Sequence, residues 1–401
     1  MAGHGMTAEH EKTVEKLLSL GGRLERDEHS PGSPVVFADL GCRREVTDAV
    51  LACLCGLTCL RWLNLENTVV SDTGIEHLRG LGQLRHLDLT GTAVSDAGLA
   101  HLKALSQLQC VGLTFTKVRN AGCAHLKDLT ELRELVLLGT NVTDAGLEHL
   151  KGLRQLQVLV LSYTQVGDAG LAHLAGLDQL QELHLGATRV TDAGLKHLAG
   201  LGRLNKLHLG ATAVTDAGLE HLQGLTQLQS LRLRETQLAD AGLKYLAGLT
   251  QLRDLDLRRT NVGDAGLGDI QSLAQLRELH LGGTRVTDAG LKHLSGLTQL
   301  DELHLGATQV TDAGLAYLRP LTQLQKLRLW ETGVTDAGLK HLAGLTRLQT
   351  LELWETGVSN AGLKHLGKLA RLERLHLGAT RVTDAGVRRL KKAIPGVQVE
   401  R

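Results

Sequence analysis

The sequence predicts an α/β solenoid, a horseshoe or arc with a parallel β-sheet on its concave face and short helices on its convex face. Three observations predict it. Aspartate or asparagine recurs every 24 residues, without insertion or deletion, from Asp48 to Asp384. Within each period, apolar residues alternate first and then fall on every third position. Aromatic residues make up only 2% of the chain, so the core must be built from aliphatic side chains. A fixed period in this range marks units that bury an apolar face only by stacking on their neighbours.

The copy from Leu204 to Leu225 illustrates the unit. Leu207 and Leu209 alternate with Lys206, His208 and Gly210, the period of a short strand with one buried face. Thr212, Val214 and Thr215 follow as the turn. Leu219, Leu222 and Leu225 then form a helical stripe. Asp216 stands where a helix N-cap belongs, and Asn120 and Asn360 in the same column fit a capping role because asparagine caps as well as aspartate. Gly218 falls on the buried side of the helix, where close backbone approach would favour glycine, and Gly224 is placed as a left-handed C-cap.

These residues resemble a leucine-rich repeat. More narrowly, the series ending Thr-x-Val-Thr-Asp-Ala-Gly-Leu resembles the bacterial 24-residue type, of ribonuclease-inhibitor-like architecture, over roughly residues 36–393. The resemblance implies a leucine-rich-repeat solenoid that binds other proteins. One departure is systematic: threonine, as at Thr68, Thr92 and Thr380, replaces the asparagine or cysteine of many such repeats. The Val-Thr-Asp-Ala-Gly-Leu stretch also looks like the repeats of F-box substrate receptors. Residues 1–34 are too short for an F-box, so a ubiquitin-related role is not carried over.

Three regions are expected. Residues 1–40 read as an N-terminal cap, with a disordered Met1–Met6, an amphipathic helix from Thr7 to Leu20 (Val14, Leu17, Leu18 and Leu20 on one face) and a hairpin around Pro31, Gly32 and Pro34. Residues 41–393 hold about 15 repeats. Residues 394–401 form a C-terminal cap strand after Pro395-Gly396.

The charge balance, 44 basic against 43 acidic residues, argues against binding to nucleic acid or a membrane surface. An apolar leader or membrane span is not visible, which points to a cytoplasmic protein. Cys42, Cys53, Cys55 and Cys59 lack the paired short spacing of zinc sites, and Cys123 stands in a leucine slot of the core.

Function is expected where the repeat varies, on residues pointing out of the sheet. All three tryptophans, Trp62, Trp330 and Trp354, take such positions. Trp330 and Trp354 share one slot in adjacent copies, so their rings should lie side by side, with Arg328, Glu331, Glu352 and Glu355 around them. Tryptophan beside arginine is the composition of a binding hot spot. A second patch, Arg232, Arg234, Arg258 and Arg259 with Glu235, Asp254 and Asp256, would either hold a carboxylate or neutralise itself. A third is apolar: Val136, Leu138, Val158 and Val160, flanked by Phe115 and Tyr163. His184 and His208 are laterally adjacent, as are His280 and His304; they are metal-ligand candidates whose bland reading is a solvated polar row. A further histidine series, from His77 to His365, reads as inter-repeat packing at the flank of the helices.

No nucleophile with an identifiable base and no phosphate-cradling loop stands out. The reading is therefore a non-enzymatic protein–protein interaction scaffold, without a cofactor, that binds a protein or peptide on its concave face. The alternatives are a metal-dependent enzyme using the histidine rows and a structural protein that self-associates through the valine patch.

Overall fold

The computed structural model describes residues 8–401, so the expected disorder of Met1–Met6 lies outside the described residues. The chain divides into two compact units, one ending at Val190 and one spanning Thr191–Arg401.

The first unit opens with the helix Ala8–Ser19, which buries Val14 and Leu17. Leu18 was expected on the same face but is 51% exposed, because it lies about 100° round the helix from Leu17. An antiparallel hairpin, Arg23–Arg26 with Val35–Asp39, follows as expected. The second hairpin strand then pairs in parallel with Trp62–Asn64. Five further parallel pairings carry the ladder through His86–Asp88, Cys110–Gly112, Glu134–Val136 and Val158–Val160 to Glu182–His184. The second unit repeats the pattern from Lys206–His208 to Arg374–His376 and closes with Gln398–Glu400. Register is strict: Leu231 lies opposite both Leu207 and Leu255. Each strand after the hairpin is three residues long, so one residue faces the core and two face outward.

Between strands the chain returns through one short helical turn or two. The three-residue spacing of leucines is tighter than an α-helix demands, and it is expressed as 3₁₀ turns such as Gly218–Leu222. Leu207, Leu209, Val214, Leu219, Leu222, Leu225 and Leu228 are all fully buried. The threonine column supplies local glue. The Thr212 hydroxyl donates to the Leu209 carbonyl at 2.6 Å, and Thr68, Thr92 and Thr380 make the same bond three residues back. The shorter hydroxyl thus stays inside its own turn.

Two expectations about the period are corrected. The aspartate is not the N-cap. That place belongs to the preceding residue, as where the Thr191 hydroxyl accepts from the Ala193 N–H. In most copies the aspartate is instead the first helical residue, as at Asp192, and it reaches into the next copy. Asp192 Oδ1 accepts the Thr215 N–H at 2.7 Å, and Oδ2 accepts the Thr215 hydroxyl at 2.6 Å. Asn120 does the same with reversed polarity, accepting from the Thr143 N–H and donating Nδ2–H to the Thr143 hydroxyl. The glycine two residues into each helix makes room for that carboxylate: a Cβ on Gly98 would meet Asp72 Oδ1 at 2.5 Å. Gly224, by contrast, is not a left-handed cap. It is absent from the positive-φ glycines, and the nearest atom to a Cβ there would be 3.9 Å away.

Candidate ligand-binding face

Outward residues of the short strands carry what chemistry the fold offers. On the first unit, Trp62 does not stand free. Its ring stacks on Phe37 of the hairpin at 4.2 Å and 10°, so one face of it serves the packing of that unit. Val136 and Val160 are directly opposed across adjacent strands, with Val158 and Leu138 beside them, all half-buried. Phe115 and Tyr163 flank the patch, are 65% and 68% exposed, and occupy left-handed backbone at φ 54° and 59°. Aromatic residues adopt that region at a steric cost, so these rings are held outward by the turn itself. His184 lies on the last strand of the first unit and His208 on the first strand of the second.

The second unit holds the most developed arrangement. Trp330 and Trp354 stack at 4.6 Å and 9°, as their shared slot predicts. Side chains in this region lean toward the preceding copy, over its glycine. A Cβ on Gly306 would meet Trp330 Nε1 at 2.6 Å, and one on Gly282 would meet His304 Nε2 at 2.6 Å. His280, His304, Trp330 and Trp354 therefore form a ribbon of rings with centroids 6.3, 5.5 and 4.6 Å apart. Beside Gly282 and Gly283 a cleft of about 500 Å³ opens. Its aromatic wall is Trp330, Trp354 and His304, with Glu331 beside it; its opposite wall is Arg234, Arg258 and Arg259 with Glu235. The tryptophan and arginine patches, read separately in the sequence, are thus two sides of one cleft.

The arginines differ in state. Arg258 grips the buried Asp256 with two bonds, Nε–Oδ1 at 2.9 Å and Nη2–Oδ2 at 2.6 Å. Burial pushes the Asp256 carboxyl up, but the Arg258 hydrogen bonds and charge outweigh it and hold the group below the usual carboxylate range. Arg234 and Arg259 share one partner, Glu235 Oε1, at 3.2 and 3.0 Å. Arg328, Glu352 and Arg232, expected in the same patches, do not line the cleft. Arg328 binds Glu302 and, at 3.0 Å, Glu352. Arg232 holds Asp254 Oδ2 at 3.0 Å. These pairs tie neighbouring strands together.

The histidine row of the second unit is not solvated. His280 and His304 are 9% and 6% exposed, because the flanking side chains close over them. Burial, then Arg328, Arg258 and His280, push the His304 imidazole down to about 4, so it is neutral near pH 7. Neither of its ring nitrogens has a hydrogen-bond partner among the described residues. Metal-ligand geometry does not join His280 to His304. Among the described residues, Asp254, Glu278 and His280 bring one ligand atom each to within 4.8 Å of one another. Sequence reasoning missed His304 and the Gly282–Gly283 floor as parts of the cleft. The available signal was glycine standing in the slot where adjacent copies carry arginine or tryptophan.

A ladder of identical strand–turn–helix copies with a variable outer face defines the class as a repeat protein of the leucine-rich kind. A family model described as a leucine-rich repeat region matches residues 36–261, and a second leucine-rich repeat model matches residues 274–295. The chain belongs to the leucine-rich repeat family. No curated protein matches it. Among solved structures it is similar to a Leptospira interrogans leucine-rich repeat protein, at 21% identity over 91% of this chain and 90% of that one, with a TM-score of 0.69. It is also similar to an internalin from Listeria monocytogenes, at 24% identity over 92% of this chain and 95% of that one, with a TM-score of 0.64. At these identities the likeness concerns the fold. No described helix is long and apolar enough to cross a membrane.

Proposed function

We propose that this chain is a non-enzymatic interaction scaffold of the bacterial 24-residue repeat type, working in the cytoplasm. A protein or peptide partner docks on the strand face, and the segments 8–40 and 394–401 cap the repeats. The observation that carries this reading is the Trp330–Trp354 stack, which leaves two half-buried indoles on the rim of a cleft. Indoles supply large contact area with little rotamer entropy to lose, which is why they concentrate binding energy. The repeat lattice is complete without them, since Gly210 and Gly378 occupy the same slot in other copies.

Affinity capture from native lysate tests this, with the Trp330→Ala/Trp354→Ala double variant as control. A partner held by the parent chain and lost from the folded double variant is expected. The same partners on both would remove the tryptophan cleft from consideration.

Two other readings have an observation of their own. The Val136–Val160 pair favours self-association through the first unit, and a stable dimer dispersed by Val136→Asp in light scattering is its test. The Asp254–Glu278–His280 cluster favours a metal, and stoichiometric zinc in elemental analysis of the purified protein is its test.

A further inference from the structure

The cleft of the second unit also constrains what a partner must present. We propose that it receives one carboxylate of a peptide between Arg234 and Arg259, with the adjoining apolar side chain laid against Trp330 and Trp354. This inference rests on the reading of the strand face as the partner-binding surface.

Charge count on the arginine wall is the first argument. Arg258 is closed off by Asp256 in a two-bond pair. Arg234 and Arg259 have only Glu235 Oε1 between them, so two cations share one anion. Arg259 is also 74% exposed in its side chain, and its hydrogen bond to Glu235 uses Nη1. A second carboxylate completes that pairing, and guanidinium groups are suited to holding carboxylates by parallel bonds.

His304 is the second and independent argument. It is nine-tenths buried, lines the cleft and has two unpartnered ring nitrogens. Both nitrogens are covered, Nε2 by the Gly282 backbone, so no charge of the ring faces the cleft. The ring therefore offers the cleft a neutral, flat surface continuous with Trp330, against which an apolar side chain can lie.

Glu331 sets the limit. It is exposed on the aromatic side of the same cleft and opposes a second negative charge. The fit is therefore to a single carboxylate followed by an apolar residue, rather than to a polyanion.

Trp330 and Trp354 are two of the three tryptophans in the chain, so intrinsic fluorescence reports on this cleft. The full chain is titrated with three probes: acetyl-Gly-Phe-Glu-Gly-amide, the same peptide with glutamine for glutamate, and acetyl-Gly-Phe-Gly with a free C-terminus. At least one carboxylate peptide is expected to bind about tenfold or more tightly than the glutamine peptide, a difference of about 1.4 kcal/mol. Which of the two does so distinguishes a side-chain from a terminal carboxylate. Arg259→Gln and Arg234→Gln should each erase the preference, whereas Arg232→Gln, whose guanidinium serves Asp254, should keep it. Tripolyphosphate should bind no more tightly than the carboxylate peptides. Equal binding of glutamate and glutamine peptides overturns the carboxylate assignment while leaving the docking surface intact. Preference retained in both Arg259→Gln and Arg234→Gln, or no response to any peptide up to about 10 mM, also overturns it. The docking surface itself stands or falls separately, on the capture experiment with the double tryptophan variant.

Discussion

Asp192 holds Thr215 by both carboxylate oxygens, one on the backbone N–H at 2.7 Å and one on the hydroxyl at 2.6 Å. The two residues are 23 apart and lie in consecutive copies. The same clasp joins Asp264 to Thr287 and Asp336 to Ser359. The column that makes the period visible is therefore the one that fastens each copy to the next.

Replacing Asp264 with alanine leaves the Thr287 N–H and hydroxyl without their partner. A loss of about 1–3 kcal/mol is expected in urea unfolding. Asp264→Asn should cost much less, because Asn120 and Asn360 already make the clasp with their amides. Equal losses in the two variants would show that the carboxylate charge, not the hydrogen-bond pair, holds the copies together.

Two glycines that look alike in sequence should behave oppositely. Gly290 faces the Asp264 carboxylate and the Leu267 side chain with no room for a Cβ, whereas nothing lies within 4 Å of a Cβ on Gly248. Gly290→Ala should lower the melting midpoint sharply. Gly248→Ala should leave it unchanged or raise stability by about 0.4–1 kcal/mol through the unfolded chain. Thermal melts of the two variants side by side decide the matter.

Leu207→Ala should destabilise by about 2–5 kcal/mol, as truncation of a fully buried strand leucine does. Trp330→Ala should cost far less, since it forfeits chiefly the stacking on Trp354, worth about 0.5–1.5 kcal/mol. A larger loss at Trp330 than at Leu207 in urea unfolding would mean that the indole is a core residue.

The His304 imidazole, ordinarily near 6.5, lies at about 4 in the folded chain because it is buried beside Arg328, Arg258 and His280. Protonation therefore favours the unfolded chain. The stability tied to the neutral ring is fully present above pH 6.5 and is lost as pH falls toward 4. His304→Gln should flatten the pH dependence of stability in that window by a few kcal/mol, to order of magnitude. Urea unfolding of both chains at pH 4.5 and 7.5 measures it; parallel curves would show the ring to be solvated.

The strands, the buried leucines and the side-by-side tryptophans were legible because the repeat fixes both period and register. Leu207 and Leu231 must align if their copies do, and so must Trp330 and Trp354. What the period could not reveal is lean. His304 and Trp330 tilt over Gly282 and Gly306 of the preceding copies, which joins patches that a column-by-column reading keeps apart. The role of the aspartate was misread for a related reason. Asp216 lies in the turn that leads into Gly218–Leu222, and its partner, the Ala239 N–H, lies in the next copy. Local propensity favours a cap at such a residue and is silent about a neighbour 23 residues away.

Glu235, Arg259 and Glu331 stand in the left-handed region, at φ 57°, 54° and 50°, in a turn column that Gly91, Gly139 and Gly283 fill elsewhere. Each non-glycine side chain there carries a steric burden of about 1–2 kcal/mol. Glycine at those three corners would relax the backbone and at the same stroke strip the cleft of most of its aimed charge. Breeding this array for heat resistance should therefore blunt its selectivity first, at the turns and not in the core.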